Sequence, residues 1–588
     1  MDSSKLITNY LNKMTKIQNT LLGIINKDKG KEMDSQEIII FLNELKICKN
    51  RQEFKSLLHL LSILYENHHQ QQENMVFIEK IIINYKDYIL KNFQNCELYT
   101  IFRNDKKLLL YLIQSQILKI DKNIIRQLSK NDDYYFYNEV KDSLKSDIQK
   151  EISKEIPDEF NLKRGKGEND SYLCEIIRKD SIDEFISYVA QTNISLKHEI
   201  KQSIYETNSI LIDKTVTLIE YAAFFGSMKI FKYLQINKVE LTESLWIYAI
   251  HSQNTEIISI LEDKKIKPDD FKKCYKEAIK CHFYDMANYI QENYLQDQEE
   301  EDGDSISPLV YFKYYNFEFI KPEQINKSIF TKLCKYDYPL FVDVLMKTED
   351  IDINAITVKE KIVYDNFNKI DSSALIEAIY FNNTDIANML LENDDIDVNY
   401  KYCTSSVISL EPIKSDLFNS SIVSIFLFVL LILFHDYFSH KNILRIDNIW
   451  LIAVLIRAIV YIISIVVNLI SDSLQIPCTL RLLFNIKSIS SDSLECQIEK
   501  ITALHLACMN NNTEIVKALL KKKNIDVNAI YNYGLNEVTE SNALNLAIDN
   551  EDMVKSLLLN TNIDVNIKDK FGSMKSVILD IGEIDFLL

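Results

Sequence analysis

Among the residues able to do chemistry, the histidines come first. His505 lies in Thr502-Ala503-Leu504-His505-Leu506-Ala507-Cys508. As a general base or metal ligand it would need partner groups converging on it, and the sequence sets no ligand pair around it. Adjacent His68 and His69 point to different faces of a helix, which is poor geometry for one metal, and they read as a solvated loop or helix end. The acidic run Gln296-Asp297-Gln298-Glu299-Glu300-Glu301-Asp302-Gly303-Asp304 offers oxygen ligands to a hard cation. It lacks the alternation and the distal Glu of a calcium loop, so residues 296–307 read as an acidic linker. The ten cysteines, Cys48, Cys96 and Cys174 among them, include no C-x-x-C pair and suit buried thiols in a reducing compartment. Gly165-Lys166-Gly167 has no apolar strand before it and reads as a hinge, not a phosphate cradle. No Ser/His/Asp, Cys/His or paired-carboxylate constellation stands out. The expectation is therefore a non-enzymatic chain with no catalytic, cofactor-binding or metal site.

The elements that hold these residues repeat. Ala503, Leu504 and Ala507 share one face of a short helix, because residues three and four apart are neighbours. Ile515, Val516, Leu519 and Leu520 line a second helix, and Ile525-Asp526-Val527-Asn528 closes the unit as a polar loop. Neither helix can bury its stripe alone, so copies must stack beside it. Copies follow the same grammar at Thr217–Leu234, Ser244–Leu261 and Cys274–Tyr289, with Ala222, Ala249 and Ala278 only 27 and 29 residues apart, so their connecting loops are short. The grammar resumes at Leu333–Leu345, Ser373–Leu391 and Ser541–Ala547. The ending I-D-V/I-N recurs at Asn354, Asn399, Asn528 and Asn566, with spacings of 45, 129 and 38 residues. Its Asp and Asn suit a turn that bonds its own backbone. Only 9 Gly and 7 Pro in 588 residues argue for helices on short turns and against a many-stranded sandwich.

The unit resembles the ankyrin repeat, whose hallmark is T-P-L-H-x-A in about 33 residues. Ala503 stands at the usual Pro, and His505 matches the position whose ring, by that resemblance, bonds backbone of the loop between repeats. Residues 171–292 are similar to a domain of unknown function found ahead of ankyrin repeats in large protist ankyrin families. Asp183-Glu184-Phe185, Ile219-Glu220-Tyr221-Ala222-Ala223-Phe224-Phe225-Gly226-Ser227, Leu245-Trp246 and Ala249-Ile250-His251 carry that similarity, which implies fold and architecture and no activity. The expected fold is all-α: an α-solenoid of ankyrin and ankyrin-like helix pairs with an N-terminal helical region and an apolar insertion. Its divisions are a helical region over 1–160, forming a bundle or capping the first repeat, the ankyrin-like domain over 171–295, ankyrin repeats over 308–404 and 500–588, and the insertion over 405–499.

That insertion holds two apolar runs, Leu417–Phe438 and Ile449–Ile470, the second carrying Arg457 near its middle. A membrane span needs about 20 apolar residues, and a central Arg costs about 2.5–3.5 kcal/mol on insertion scales. Residues 417–470 thus form a candidate two-helix membrane hairpin, with both ends on one side so that flanking repeats still stack; a buried or disordered insertion and read-through of non-coding sequence stand as alternatives.

The leading expectation is a protein–protein interaction scaffold, and the alternative is a membrane-anchored adaptor with its repeats on the cytoplasmic side. Net charge is −18, from 67 Lys and Arg against 85 Asp and Glu, which excludes the electrostatic footprint of a nucleic-acid binder and suits a basic protein partner. Met1-Asp2-Ser3-Ser4-Lys5 lacks the pattern of a secretory signal, so a cytoplasmic setting is expected. Tyr531, Asn532 and Tyr533, read as a loop tip, are the candidate partner-binding residues, since aromatics serve as interface anchors.

Overall fold

The structure, a computed structural model, describes residues 3–26, 35–68, 72–131, 135–141, 159–212, 214–295, 308–363, 366–408, 495–533, 539–548, 550–565, 568–569 and 572–573. The acidic run at 296–304, His69 and the two apolar runs lie outside these residues.

The repeated unit is a pair of short antiparallel helices. The pairs are α11 (Tyr172–Arg178) with α12 (Ile182–Thr192), α13 (Leu218–Phe224) with α14 (Met228–Ile236), α15 (Leu245–His251) with α16 (Thr255–Asp263), and α17 (Phe271–Lys280) with α18 (Tyr284–Ile290). Then α19 (Leu309–Lys313) stands without a second helix. Four more pairs follow: α20 (Phe330–Lys335) with α21 (Pro339–Thr348), α22 (Ala374–Tyr380) with α23 (Thr384–Glu392), α24 (Ala503–Met509) with α25 (Thr513–Leu520), and α26 (Ala543–Ala547) with α27 (Glu551–Leu558).

The turn inside each pair is the same device. The first helix runs into a residue in the left-handed region, such as Asp180, Gly226, Gln253, His282, Asp337, Asn382 or Asn511. The next backbone N–H then returns to the carbonyl five residues earlier, as it does to Ala222, Ala249, Ala278, Ala378 and Ala507, at 2.8–3.0 Å. This ending satisfies carbonyls that a short helix leaves orphaned. The second helix is capped at once: Asn254, Asn512 and Asn550 accept the N–H of Ile257, Ile515 and Met553, each at 3.1 Å. Ala547 departs, accepting instead from Asn550 three residues on.

First helices pack on first helices, α11 on α13 on α15 on α17 on α19, and α20 on α22 on α24 on α26. The five alanines above are fully buried in these layers, where only a small side chain lets neighbouring axes approach. The chain is mostly helical, as the repeat grammar requires, but strands follow the later pairs as antiparallel hairpins. These fingers are β3 (Ile356–Val363) with β4 (Asn366–Ser373), β5 (Tyr402–Ile408) with β6 (Glu495–Ile501), β7 (Tyr531–Tyr533) with β8 (Thr539–Ser541), and β9 (Lys568–Asp569) with β10 (Gly572–Ser573). A further short pair, β1 (Glu199–Ile200) and β2 (Val216–Thr217), precedes α13. Strand β4 also pairs with β5, so the first two fingers make one four-stranded sheet. Residues 409–494 leave from the tip of the second finger: Val407 pairs with Glu495, and α22 packs directly on α24, so the stack is continuous across the insertion.

The N-terminal helices are α1 (Ser3–Ile25), α2 (Ser35–Glu44), α3 (Arg51–Asn67), α4 (Gln72–Asn84), α5 (Lys86–Asn92), α6 (Asn95–Phe102), α7 (Lys106–Gln114), α8 (Lys122–Asn131), α9 (Tyr137–Val140) and α10 (Phe160–Lys166). Those up to Val140 share one hydrophobic core with residues 312–557, whereas residues 173–295 form a separate core. The region therefore lies along the later repeats, beyond its expected place ahead of the first. Helix α1 packs over Phe317, with Tyr10 edge-on to Phe317 at 6.1 Å and to Phe341 of α21 at 5.3 Å. Buried Gln18 accepts the Phe317 N–H at 2.8 Å and bonds the Tyr284 hydroxyl at the start of α18. Thus α1 fills the place that a second helix after α19 would take.

Gly165-Lys166-Gly167 is no hinge. It ends α10, with Gly167 at φ +70°, and a Cβ there would stand 2.9 Å from Lys107 Cδ and 3.0 Å from Thr207 Oγ1. His68 is the residue that ends α3, and it is buried, not solvated.

Candidate protein-docking surface

Two side-chain ladders and one ion cluster decide which faces of the stack are free. The first ladder runs along the I-D-x-N loops. Each Asp turns its own loop: Asp352, Asp397 and Asp526 accept the N–H two residues on at 2.9–3.1 Å. Each Asn instead clamps the next repeat. Asn354 donates to the Asp395 carbonyl at 2.8 Å and accepts the Asp397 N–H at 2.8 Å. Asn399 does the same to Asn524 and Asp526 at 2.6 and 2.8 Å, spanning the insertion, and Asn528 to Asn562 and Asp564 at 2.7 and 2.8 Å. The repeated sequence signalled a turn; that its Asn bonds between layers was not visible in one copy. The ladder leaves Asp352, Asp397, Asp526 and Asp564 exposed in a row, one repeat apart.

His505 belongs to the same architecture. Thr502 donates to Nδ1, its Oγ1 lying 2.8 Å away, and Nε2–H donates to the Ala529 carbonyl at 2.9 Å, so the ring ties its helix to the loop entering the third finger. This is the role the resemblance implied. Burial pushes the imidazole down to about 4, with the Ala529 bond opposing it. The unfolded chain takes up a proton near pH 6.5 that the folded chain refuses until about pH 4. Stability is therefore full above pH 6.5 and falls as pH drops toward 4, by on the order of 3 kcal/mol for this ring at about 1.4 kcal/mol per pH unit. Denaturant midpoints at pH 7 and pH 5 check this, and His505→Gln is expected to lower the midpoint at pH 7 while shrinking the difference between the two.

The second ladder runs along the helix turns. Asn383 Nδ2 donates to the Cys334 carbonyl at 2.7 Å, Asn512 Nδ2 to Thr384 Oγ1 at 3.0 Å, and Ser227 Oγ to the Ile177 carbonyl at 2.6 Å. On this side the later repeats are covered by the chain's own N-terminal helices. Lys55 of α3 is buried with its ammonium 2.7 Å from Asp337 and 3.0 Å from Glu97. Arg51 pairs with Asp385 and, at 2.9 Å, with Glu97, and His59 Nε2 lies 3.1 Å from Asp337. Asp337 and Asp385 sit at the turns of two successive repeats, so the cluster locks α3 across both. Burial opposes the Lys55 charge, yet Asp337, Glu97 and Asp385 hold its pKa above the ordinary range. Burial would raise the Asp337 carboxyl, but Lys55 and His59 keep it at about 2. Farther along, Gln94 bonds Glu514 at 2.6 Å, and Thr100 accepts from Asn382 at 3.0 Å.

Tyr380 and Met509, at matching C-terminal positions of α22 and α24, are exposed, and Met509 lines a cavity with Asp121, Lys122 and Asn123 of the N-terminal region. Tyr531, Asn532 and Tyr533 are not a loop tip: they form β7, paired residue by residue with Ser541, Glu540 and Thr539. The period-2 alternation of Tyr531-Asn532-Tyr533 was the available signal for a strand. Their side chains lie outside the described set.

One cluster has metal-ligand types. His251 Nε2 lies 4.0 Å from Glu277 Oε1, and Cys281 Sγ lies 3.7 Å from that same oxygen. Lys280 stands 3.6 Å from it, and burial pushes the Cys281 thiol well up, away from the thiolate a metal requires. The arrangement is that of a half-buried carboxylate paired with a lysine. Cys48, Cys96, Cys174, Cys274, Cys281, Cys334 and Cys508 are free thiols, all buried except the half-buried Cys48.

No curated protein matches the chain. A family profile of ankyrin repeats, in three copies, matches residues 472–569. A second profile, described as a domain of unknown function (DUF3447), matches residues 236–322; Ser244–Leu261 falls inside that match, and Thr217–Leu234 ahead of it. With layered helix pairs, clamping Asn residues and a His505 bridge in place, the chain carries ankyrin repeats preceded by a DUF3447 domain.

Proposed function

We propose that the chain is a non-enzymatic scaffold that docks a basic protein partner. The repeats indicate a protein–protein interaction domain; the observation that carries the finer reading is the row Asp352, Asp397, Asp526 and Asp564, held one repeat apart by the Asn ladder on the side the N-terminal helices do not cover. Carboxylates at a fixed spacing complement an extended basic segment and speed its encounter. A cytoplasmic setting, which the buried free thiols suit, belongs to the same reading.

The test replaces all four aspartates by Asn, which removes the charge and keeps the oxygen that closes the turns at Asp352, Asp397 and Asp526. Affinity capture from the native cells with full chain and variant, at 50 and 300 mM salt, is expected to lose a salt-sensitive partner in the variant. Equal capture of the same partners by both would remove the acidic row from the account, and robust turnover by the purified chain in hydrolase or kinase assays would remove "non-enzymatic".

A second reading, a membrane-anchored adaptor, is favoured by one observation: Val407 and Glu495 pair at the finger tip, so both ends of the insertion leave together, as a two-pass hairpin over 417–470 requires. No helix among the described residues is long and apolar enough to cross a membrane. Alkaline carbonate extraction separates the readings: release into the supernatant removes the anchor.

A further inference from the structure

The motif Asp183-Glu184-Phe185 is only half accounted for by packing. Phe185 is fully buried, and it is the one fully buried residue of α12. Beside Phe185, a flanking face of α12 turned toward α11 is open to solvent at the first helix pair of the stack. There Glu184, Ser187, Tyr188 and Gln191, spaced three and four apart, line one wall of a cavity of about 280 Å³, and Tyr172 of α11 stands across from them. The rings of Tyr172 and Tyr188 meet edge to face, 5.5 Å apart at 70°. The Tyr172 hydroxyl donates to Glu184 Oε2 at 3.4 Å, and Asp183 adds a second carboxylate to the lining. Terminal repeats ordinarily present a polar outer face, yet Tyr172 is 53 % exposed and neighbouring Ile186 40 %. Nearby Lys179 is engaged by Glu175 at 2.6 Å.

We propose that this groove takes the lysine or arginine side chain of a basic peptide. Two tyrosine faces attract a cation through their ring quadrupoles and cover its aliphatic stem, while Glu184 and Asp183 pair with its head. An anionic or purely apolar ligand would leave those carboxylates without a counter-charge. The inference rests on the reading of the chain as a scaffold for a basic partner, and it names where one anchoring side chain goes.

The test is fluorescence anisotropy of the full chain with a labelled peptide alternating glycine and lysine, against the same peptide with its lysines acetylated. Tyr172→Ala and the pair Asp183→Asn/Glu184→Gln are each expected to weaken Kd for the lysine peptide at least tenfold. Tyr172→Phe, which keeps the ring, stays within threefold of the parent. All three positions are exposed surface sites, and circular dichroism checks that the helices persist. Lysine-peptide binding unchanged in Tyr172→Ala and in the carboxylate pair would overturn this groove while leaving the basic-partner reading standing. Lysine and acetyl-lysine peptides that bind the parent chain equally would overturn both.

Discussion

Lys55→Met is expected to destabilise the protein by about 3–5 kcal/mol, the largest effect of any single substitution considered. Methionine keeps the length and apolar stem of Lys55 but removes its charge. Asp337 and Glu97, both buried, then face each other's field without the ammonium at 2.7 and 3.0 Å. Neither can reach water without parting α3 from the turns at 337 and 385. The asymmetry matters: removing one partner of a buried pair costs far more than removing both. Adding Asp337→Leu to Lys55→Met is therefore expected to recover part of the loss. Denaturant titration of the two variants checks this. A Lys55→Met midpoint equal to the parent's would mean that the N-terminal helices do not rest on the repeats through this cluster.

That cluster also shows where sequence reading stops. Lys55 sits beside Phe54 and ahead of Leu57 and Leu58, so a charge on an apolar face was visible. Its partner was not, because Asp337 is 282 residues away and reaches it only after the chain doubles back. The same holds for α1, whose stripe of Tyr10, Met14, Ile17 and Leu21 marked an amphipathic helix but not the vacant layer after α19 that it fills. Local features were legible. The alanines of the first helices, the Asx turns of I-D-x-N and the capping Thr502 follow from residues within a few positions of one another. The fingers lay between these extremes. Ile356-Thr357-Val358 is rich in β-branched residues, a local strand signal, but the hydrogen bonds between β4 and β5 join segments from different repeats.

Ala507→Leu is the second large expectation, a loss of about 1–3 kcal/mol, because extra methylenes in a close-packed layer force neighbours off their rotamers. Ala507 is fully buried between α22 and α26. The same change at exposed Ala190 on α12 is expected to fall within about 0.5 kcal/mol. Thermal unfolding of the two variants side by side checks the contrast. Equal midpoints would mean that the recurrent alanines mark no shared layer.

The continuity of the stack across the insertion is the claim on which the docking surface depends, since Asp397 and Asp526 belong to one row only if Asn399 clamps the repeat that follows 409–494. The direct measurement replaces residues 408–494 with Asn-Gly, a two-residue turn that joins the paired Val407 and Glu495, and follows thermal unfolding of the shortened chain. A transition as cooperative as the parent's, with its midpoint within about 3 °C, is the predicted result. A separate early transition of the C-terminal repeats in the shortened chain would contradict it.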